Sequence, residues 1–317
     1  MKVLIIFLCS ICTPFVFAQD CDDTDYGCQI VANKNSDDID SIFRLAYAYG
    51  EIGQHQDAIR EYTRYIDLDP QNPAIFSNRG LEYAQIKKYR LAVQDFTRAI
   101  ELDPTDAEYY HNRTESRIQL GDRAGSVEDF NVAIALDPSN AAIFFNRGHN
   151  YGEMGVTSLA IADYSKALEL DPNDSDSYFN RASIEQDNGD FATAISDYSD
   201  AIRLRPDDPE AYNNRGNSFD SLGEYSKAVA DYTRAIRLNP SDAVFYFNRG
   251  DTYYEMGNDR RAIRDLTQAI RLDPKDADTY YRRARAYERN DQNKKAEADD
   301  LMYNQLSGTI LKRVNSR

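Results

Sequence analysis

Seven prolines stand 34 residues apart along the chain: Pro70, Pro104, Pro138, Pro172, Pro206, Pro240 and Pro274. A fixed interval of this length means one supersecondary unit used many times. No such unit buries its apolar face alone, so the copies must stack. With the proline at position 32, the units are 39–72, 73–106, 107–140, 141–174, 175–208, 209–242, 243–276 and 277–310. The period therefore constrains the fold before composition is considered.

Each unit reads as two helices. Position 34 is Asn or Asp ahead of each following unit (Asn72, Asp106, Asn140, Asp174, Asp208, Asp242, Asp276), and Asp38 precedes the first. These residues suit helix N-caps, whose side chains accept from orphan backbone N–H groups. Apolar or small residues follow at positions 4, 8 and 11, one face of a helix, as in Phe144, Gly148 and Tyr151. Gly53, Gly121, Gly155, Gly189, Gly223 and Gly257 at position 15 suit a left-handed helix stop. The second helix carries apolar residues at positions 20, 24, 27, 28 and 30, as in Ala228, Tyr232, Ala235, Ile236 and Leu238. Proline then forbids continuation. Small residues at positions 8, 20 and 27 oppose large ones at 4, 11 and 24, so the helices approach closely. The predicted fold class is all-α, a solenoid of eight helix-turn-helix repeats over 39–310.

The pattern aromatic-x-x-x-Gly-x-x-Tyr, then Ala-x-x-x-Tyr or Phe, then Pro, at 34 residues, resembles the tetratricopeptide repeat. That resemblance implies a right-handed superhelix with a concave groove lined by first helices, which binds proteins or peptides. Two features depart from the common pattern. Trp is absent from the chain. Position 7 is Arg in units two to eight (Arg79, Arg113, Arg147, Arg181, Arg215, Arg249, Arg283), and position 23 is Asp in the same units (Asp95, Asp129, Asp163, Asp197, Asp231, Asp265, Asp299). An Arg head beside the apolar stripe needs a carboxylate. A structural ladder of Arg–Asp pairs, joining two helices or adjacent units, is expected. Unit three places Thr114, Arg117 and Ser126 at core positions and should pack least well. Unit eight has Asp300 and Asn304 on its second helix, the polar outer face that a terminal cap requires.

The candidate binding row is position 6, which is Asn in six consecutive units: Asn78, Asn112, Asn146, Asn180, Asn214 and Asn248. An amide donates and accepts, so such a row can hold a peptide backbone whatever its side chains. The row resembles the asparagine ladder of the O-GlcNAc transferase superhelix. Position 5 adds Phe43, Phe145, Phe179, Phe247 and Tyr281 as candidate contacts for peptide side chains. Positions 2, 9, 12 and 13 are acidic in the middle and later units: Glu108, Glu115, Glu153, Asp176, Asp187, Glu210, Asp220, Asp251 and Glu255. The expected partner is a protein or extended peptide of neutral or basic character. Two bland alternatives stand beside these readings. The asparagines can instead bond neighbouring helices, and the aromatics can serve inter-repeat packing. The whole chain then assembles by its ends or convex face as a structural protein.

Composition narrows the function class. Net charge is −16, from 37 Lys and Arg against 53 Asp and Glu. Nucleic acid and anionic lipid need clustered cations and are not expected partners. The chain holds three histidines, and no phosphate loop, nucleophile elbow or metal-binding His motif appears. A non-enzymatic scaffold without cofactor or metal is expected. Residues 1–18 read as a secretory signal: Lys2, an apolar run from Val3 to Phe17, and a cleavage site after Ala18. No membrane span is expected elsewhere. Export to a periplasm, or to a secretory lumen or medium, follows. Residues 19–38 form an acidic leader in which Cys21 and Cys28 can close a disulfide. Residues 311–317 are a basic tail. The partner's identity and the oligomeric state are not written in the sequence.

Overall fold

The computed structural model describes residues 25–34 and 36–308. The signal segment 1–18, Cys21 and the tail 311–317 lie outside the described residues. Among the described residues there are seventeen helices and no strand. The leader contributes α1 (Tyr26–Asn33), whose N-cap Asp25 accepts from the backbone N–H of Cys28. Cys28 is disulfide-bonded. The ring of Tyr26 meets that of Tyr47 edge-on, with centroids 6.2 Å apart.

Every expected repeat is a helix pair. The pairs are α2 (Ile39–Glu51) with α3 (His55–Leu68), α4 (Pro73–Gln85) with α5 (Tyr89–Leu102), α6 (Ala107–Gln119) with α7 (Arg123–Leu136), and α8 (Ala141–Glu153) with α9 (Thr157–Leu170). They continue with α10 (Ser175–Asp187) and α11 (Phe191–Leu204), α12 (Pro209–Ser221) and α13 (Tyr225–Leu238), α14 (Ala243–Glu255) and α15 (Asp259–Leu272), and α16 (Ala277–Arg289) and α17 (Asn293–Leu306). The chain divides into two compact units, Met1–Asn150 and Tyr151–Arg317. Each is a segment of all-α repeat solenoid. In the first, consecutive helices pack in turn from α1 through α7; in the second, they do so from α9 through α17. First helices also touch from repeat to repeat: α4 meets α6, and α10, α12, α14 and α16 meet in succession. First helices thus share one face of each unit.

The local signals act as expected. All eight Asn or Asp caps accept from a first-turn backbone N–H. The six position-15 glycines have φ between 73° and 85°. Lys87 and Asp291 hold the same turn in repeats two and eight at φ 60° and 55°, at a cost of about 1 kcal/mol each.

The core interdigitates large on small. Tyr62, Phe96, Phe130, Tyr164, Tyr198, Tyr232 and Leu266, all at position 24, are at most 2% exposed. A Cβ added at Gly80, Gly216 or Gly250 would lie 2.8, 2.8 and 2.9 Å from the Phe96, Tyr232 and Leu266 side chains. Nothing larger than glycine fits there without moving the ring or branched chain opposite.

The Arg–Asp ladder exists and reaches further than the sequence indicates. Six of the expected pairs lie within one compact unit, and all six form. Arg215 is representative: Nε donates to Asp231 Oδ2 at 2.7 Å and Nη2 to Asp231 Oδ1 at 2.8 Å. Its third nitrogen, Nη1, donates to Ser199 Oγ of the preceding repeat at 3.0 Å. Arg79, Arg113, Arg181, Arg249 and Arg283 repeat this arrangement with Thr97, Thr233 or their counterparts at position 25. That hydroxyl in turn donates to the carbonyl four residues earlier on its own helix. The guanidinium also sits 5.7 to 5.9 Å from the position-4 aromatic ring of its own repeat. Each Arg therefore ties its two helices together and fastens them to the repeat before.

Repeat three closes its apolar deficit with polar pairing. Arg117 Nη1 donates to the Gly125 carbonyl at 2.6 Å and lies 3.2 Å from Asp129, which already holds Arg113. Asn150, fully buried, donates from Nδ2 to Ser126 Oγ at 2.9 Å. Hydrogen bonds replace the contacts that Ala and Tyr supply elsewhere. At the C-terminal end, Asp300 pairs with Arg285, which keeps a position that is apolar elsewhere on the polar side.

Candidate functional site

The shared face of the first helices carries the position-6 asparagines. Asn78, Asn112 and Asn146 belong to the first compact unit; Asn180, Asn214 and Asn248 belong to the second. All six are half-buried, because position 6 lies at the edge of the 4/8/11 stripe. Their bonding is not uniform. Asn248 Nδ2 donates to Asn213 Oδ1 at 2.9 Å and to Asn217 Oδ1 at 3.1 Å, and Asn214 Oδ1 accepts from Asn213 at 3.1 Å. Tyr232 donates to the same Asn217 at 2.8 Å. In repeats six and seven the amides thus bridge α12 to α14. Asn78, Asn112, Asn146 and Asn180 make no side-chain hydrogen bond among the described residues.

Several buried polar atoms lack partners among the described residues, among them Asn112 Nδ2 and the adjacent His111 Nδ1 on α6 and, in the core of repeat five, the Tyr198 hydroxyl on α11. Burial lowers the pKa of His111 and keeps its ring neutral, so Nδ1 can accept or donate according to tautomer. Tyr198 is fully buried, and burial pushes its pKa up to about 12. It therefore remains a donor. Its counterpart Tyr232 reaches Asn217 at position 9, whereas position 9 in repeat five is Ser183, a shorter side chain. An unpaired buried donor or acceptor costs about 1–3 kcal/mol. The half-buried His111 and Asn112 mark where a ligand group gains most by pairing, whereas the Tyr198 hydroxyl lies out of a ligand's reach.

Phe145, Phe179 and Phe247 are half-buried rather than exposed. The Phe179 ring stands edge-on to Tyr198 at 5.5 Å, and Phe247 packs on the Ala262–Leu266–Ala286 cluster. Phe43 similarly lies among Tyr47, Tyr62 and Tyr65. Tyr281 is the exposed member, at 44%. These rings fill space between helices and leave only part of one face free.

The acidic positions are partly consumed. Arg282 pairs with Asp251 and with Glu255 Oε1 at 3.1 Å, and its guanidinium lies 5.2 Å from the Tyr254 ring. Burial raises Asp251 to about 6 despite that arginine. Asp176 holds Arg205 at 2.9 Å. Asp220 accepts from Thr252 at 2.6 Å. Glu185, between the helices of repeat five, is pushed up to about 7 by burial and by Asp197. Asp187 and Glu210 are exposed and unpaired among the described residues. The free negative surface is narrower than the sequence implies, because α16 brings its own arginines against α14. Among the described residues, no group of three or more His, Cys, Asp or Glu is arranged to hold a metal, and no helix is long and apolar enough to cross a membrane.

Sequence profiles described as Tetratricopeptide repeat match residues 39–72, 73–106, 141–174 and 163–196. A further profile, described as TPR repeat, matches 182–223, 216–257 and 250–291. No curated protein sequence matches the chain. Among solved structures, the MamA protein is similar at 25% identity and a TM-score of 0.52, over 54% of this chain and 94% of that one. YrrB, described as a TPR protein with an unusual peptide-binding site, aligns at 22% identity and a TM-score of 0.51, over 57% of this chain and 93% of its own. The C-terminal part of a TPR repeat-containing protein from Cytophaga hutchinsonii aligns at 18% identity and a TM-score of 0.65, over 75% and 97%. The latter two likenesses concern fold alone. The profiles together span more than half of the sequence, and the chain accordingly belongs to the tetratricopeptide-repeat family.

Proposed function

We propose that the chain is an exported, non-enzymatic scaffold that holds an extended polypeptide, neutral or basic in character, against its first-helix face. The fold supports a protein-interaction scaffold. The observation that carries the finer reading is the set of unpaired amides at Asn78, Asn112 and Asn146 in the first compact unit, with the orphaned His111 and Asn112 atoms among them; Asn180 offers an unpaired amide of the same kind in the second. An extended peptide offers one N–H and one C=O per residue. Such a row pairs with that backbone and relieves the desolvation cost of the buried groups. Asn214 and Asn248 contribute less, because they already serve the α12–α14 contact.

The test uses peptides selected from a random display library on the full chain. The triple variant Asn78→Ala, Asn112→Ala, Asn146→Ala should bind them about 100-fold more weakly, the effect of three lost hydrogen bonds, with helicity and melting unchanged. Asn214→Ala with Asn248→Ala should instead lower stability. Equal affinity of the triple variant and wild type would favour the alternative, assembly by the repeat ends or outer surface.

Export rests on the signal-like residues 1–18 and on the disulfide-bonded Cys28, since disulfides persist in oxidising compartments. Protein recovered from the producing cell's exported fraction should begin at Gln19 on N-terminal sequencing. Recovery of the intact Met1 form in the cytosol would refute this.

A further inference from the structure

The second helix of repeat seven bears three arginines that the chain does not pair. Arg260, Arg264 and Arg271 are exposed on α15, and no carboxylate among the described residues forms an ion pair with them. With Tyr246 and Arg249 they line a shallow concavity of about 510 Å³. The acid in its wall, Asp265, is already occupied by Arg249 through two bonds of 2.7 and 3.0 Å. Asp259, next to Arg260 in sequence, accepts from Arg289 Nε at 2.6 Å. A net positive trough therefore sits on a chain of net charge −16.

The other repeats serve as internal comparisons. At the same positions 18, 22 and 29, repeat three has Ala124, Glu128 and Ala135, and repeat four has Ser158, Ala162 and Glu169. No repeat except the seventh places a basic residue at all three. Helix pairing and stacking proceed with Ala, Ser or Glu there, so the arginines are not required by the fold. Exposed, unpaired guanidinium groups also do little for stability.

Spacing identifies the ligand. Four and seven residues along a helix correspond to about 6 and 10.5 Å, about 16.5 Å in all. That is too long for three cations to converge on one phosphate-sized anion. It suits an extended chain at about 3.3 Å per residue, whose carboxylates recur at the second and third residue. We propose that the outward face of α15 binds an extended acidic polypeptide segment through Arg260, Arg264 and Arg271. This is a second binding surface, on a different helix from the asparagine row and opposite to it in charge preference.

The experiment measures fluorescence anisotropy of a labelled oligoglutamate of about ten residues with the full chain at low ionic strength. The variant Arg260→Gln, Arg264→Gln, Arg271→Gln should bind on the order of tenfold more weakly, as expected for three solvent-facing ion pairs. Its affinity should also depend less on salt. The variant Lys87→Gln, Lys88→Gln, Arg90→Gln removes the same charge from an exposed site on repeat two and should bind like wild type. Single Arg264→Gln gives an intermediate loss, should the triple variant prove unstable. The asparagine triple variant should bind oligoglutamate unchanged, which separates this surface from the first-helix face. Absence of oligoglutamate binding, equal loss in both charge variants, or displacement by inorganic phosphate or a sulfated polysaccharide at lower concentration than glutamate would each overturn the proposal.

Discussion

Asp231→Ala is expected to destabilise the chain by about 3–5 kcal/mol, read as a shift of the urea midpoint. The reason is that Arg215 stays where it is. Its side chain is 19% exposed and that of Asp231 is 10% exposed, so the substitution leaves a desolvated guanidinium holding only Ser199 Oγ. Removing one partner of a buried pair is costly because the remaining charge is uncompensated. The double replacement Arg215→Met, Asp231→Leu should return the midpoint close to wild type, since apolar side chains of similar volume fill the same space without desolvation. The exposed pair Arg203–Asp200, at 60% and 38% exposure, provides the contrast: Asp200→Ala should shift stability by less than about 1 kcal/mol. Comparable losses for Asp231→Ala and Asp200→Ala would show that the ladder is not a buried structural element.

Gly216→Val should cost about 3 kcal/mol despite the better helix propensity of valine over glycine. Its Cβ would stand 2.8 Å from Cε1 of Tyr232, a ring that is 2% exposed and fixed by its bond to Asn217. The ring has nowhere to turn, so the helices must separate. Gly152→Ala is the matched control. Its Cβ meets only Ile184 Cδ1 at an ordinary 3.7 Å, so the change should stabilise by about 0.5–1 kcal/mol through helix propensity. Thermal unfolding of the two variants checks both signs. A Gly216→Val variant as stable as wild type would mean that the close approach of α12 and α13 is not tightly packed.

The same repeats show why some features were readable and others were not. The 34-residue period, the caps, the turn glycines and the large-on-small core are local: each depends on residue type at a fixed helical position. The pairing of Arg215 with Asp231 was legible for the same reason, since two charges at constant positions must meet if either is buried. Ser199 as the third partner was not, although position 25 is Thr, Ser or Asn throughout repeats one to seven. A hydroxyl on a helix surface is ordinary until a neighbouring repeat places a guanidinium above it. Likewise Arg117 reads as a core defect until Asp129 and the Gly125 carbonyl are seen to receive it.

What the sequence determined alone is the repeated helix pair, because periodic apolar positions, caps and stops act within a few residues of one another. What only the tertiary structure decided is the state of each polar side chain on the repeat faces. Asn248 is engaged and Asn180 is not, Asp251 is neutralised by Arg282 while Asp187 is free, and Phe179 is packed while Tyr281 is open. The engagement of Asn248 and Asp251 arises from side chains of adjacent repeats 27 to 35 residues away in sequence, and that of Phe179 from the facing helix of its own repeat; in each case reach and orientation are set by packing and not by composition.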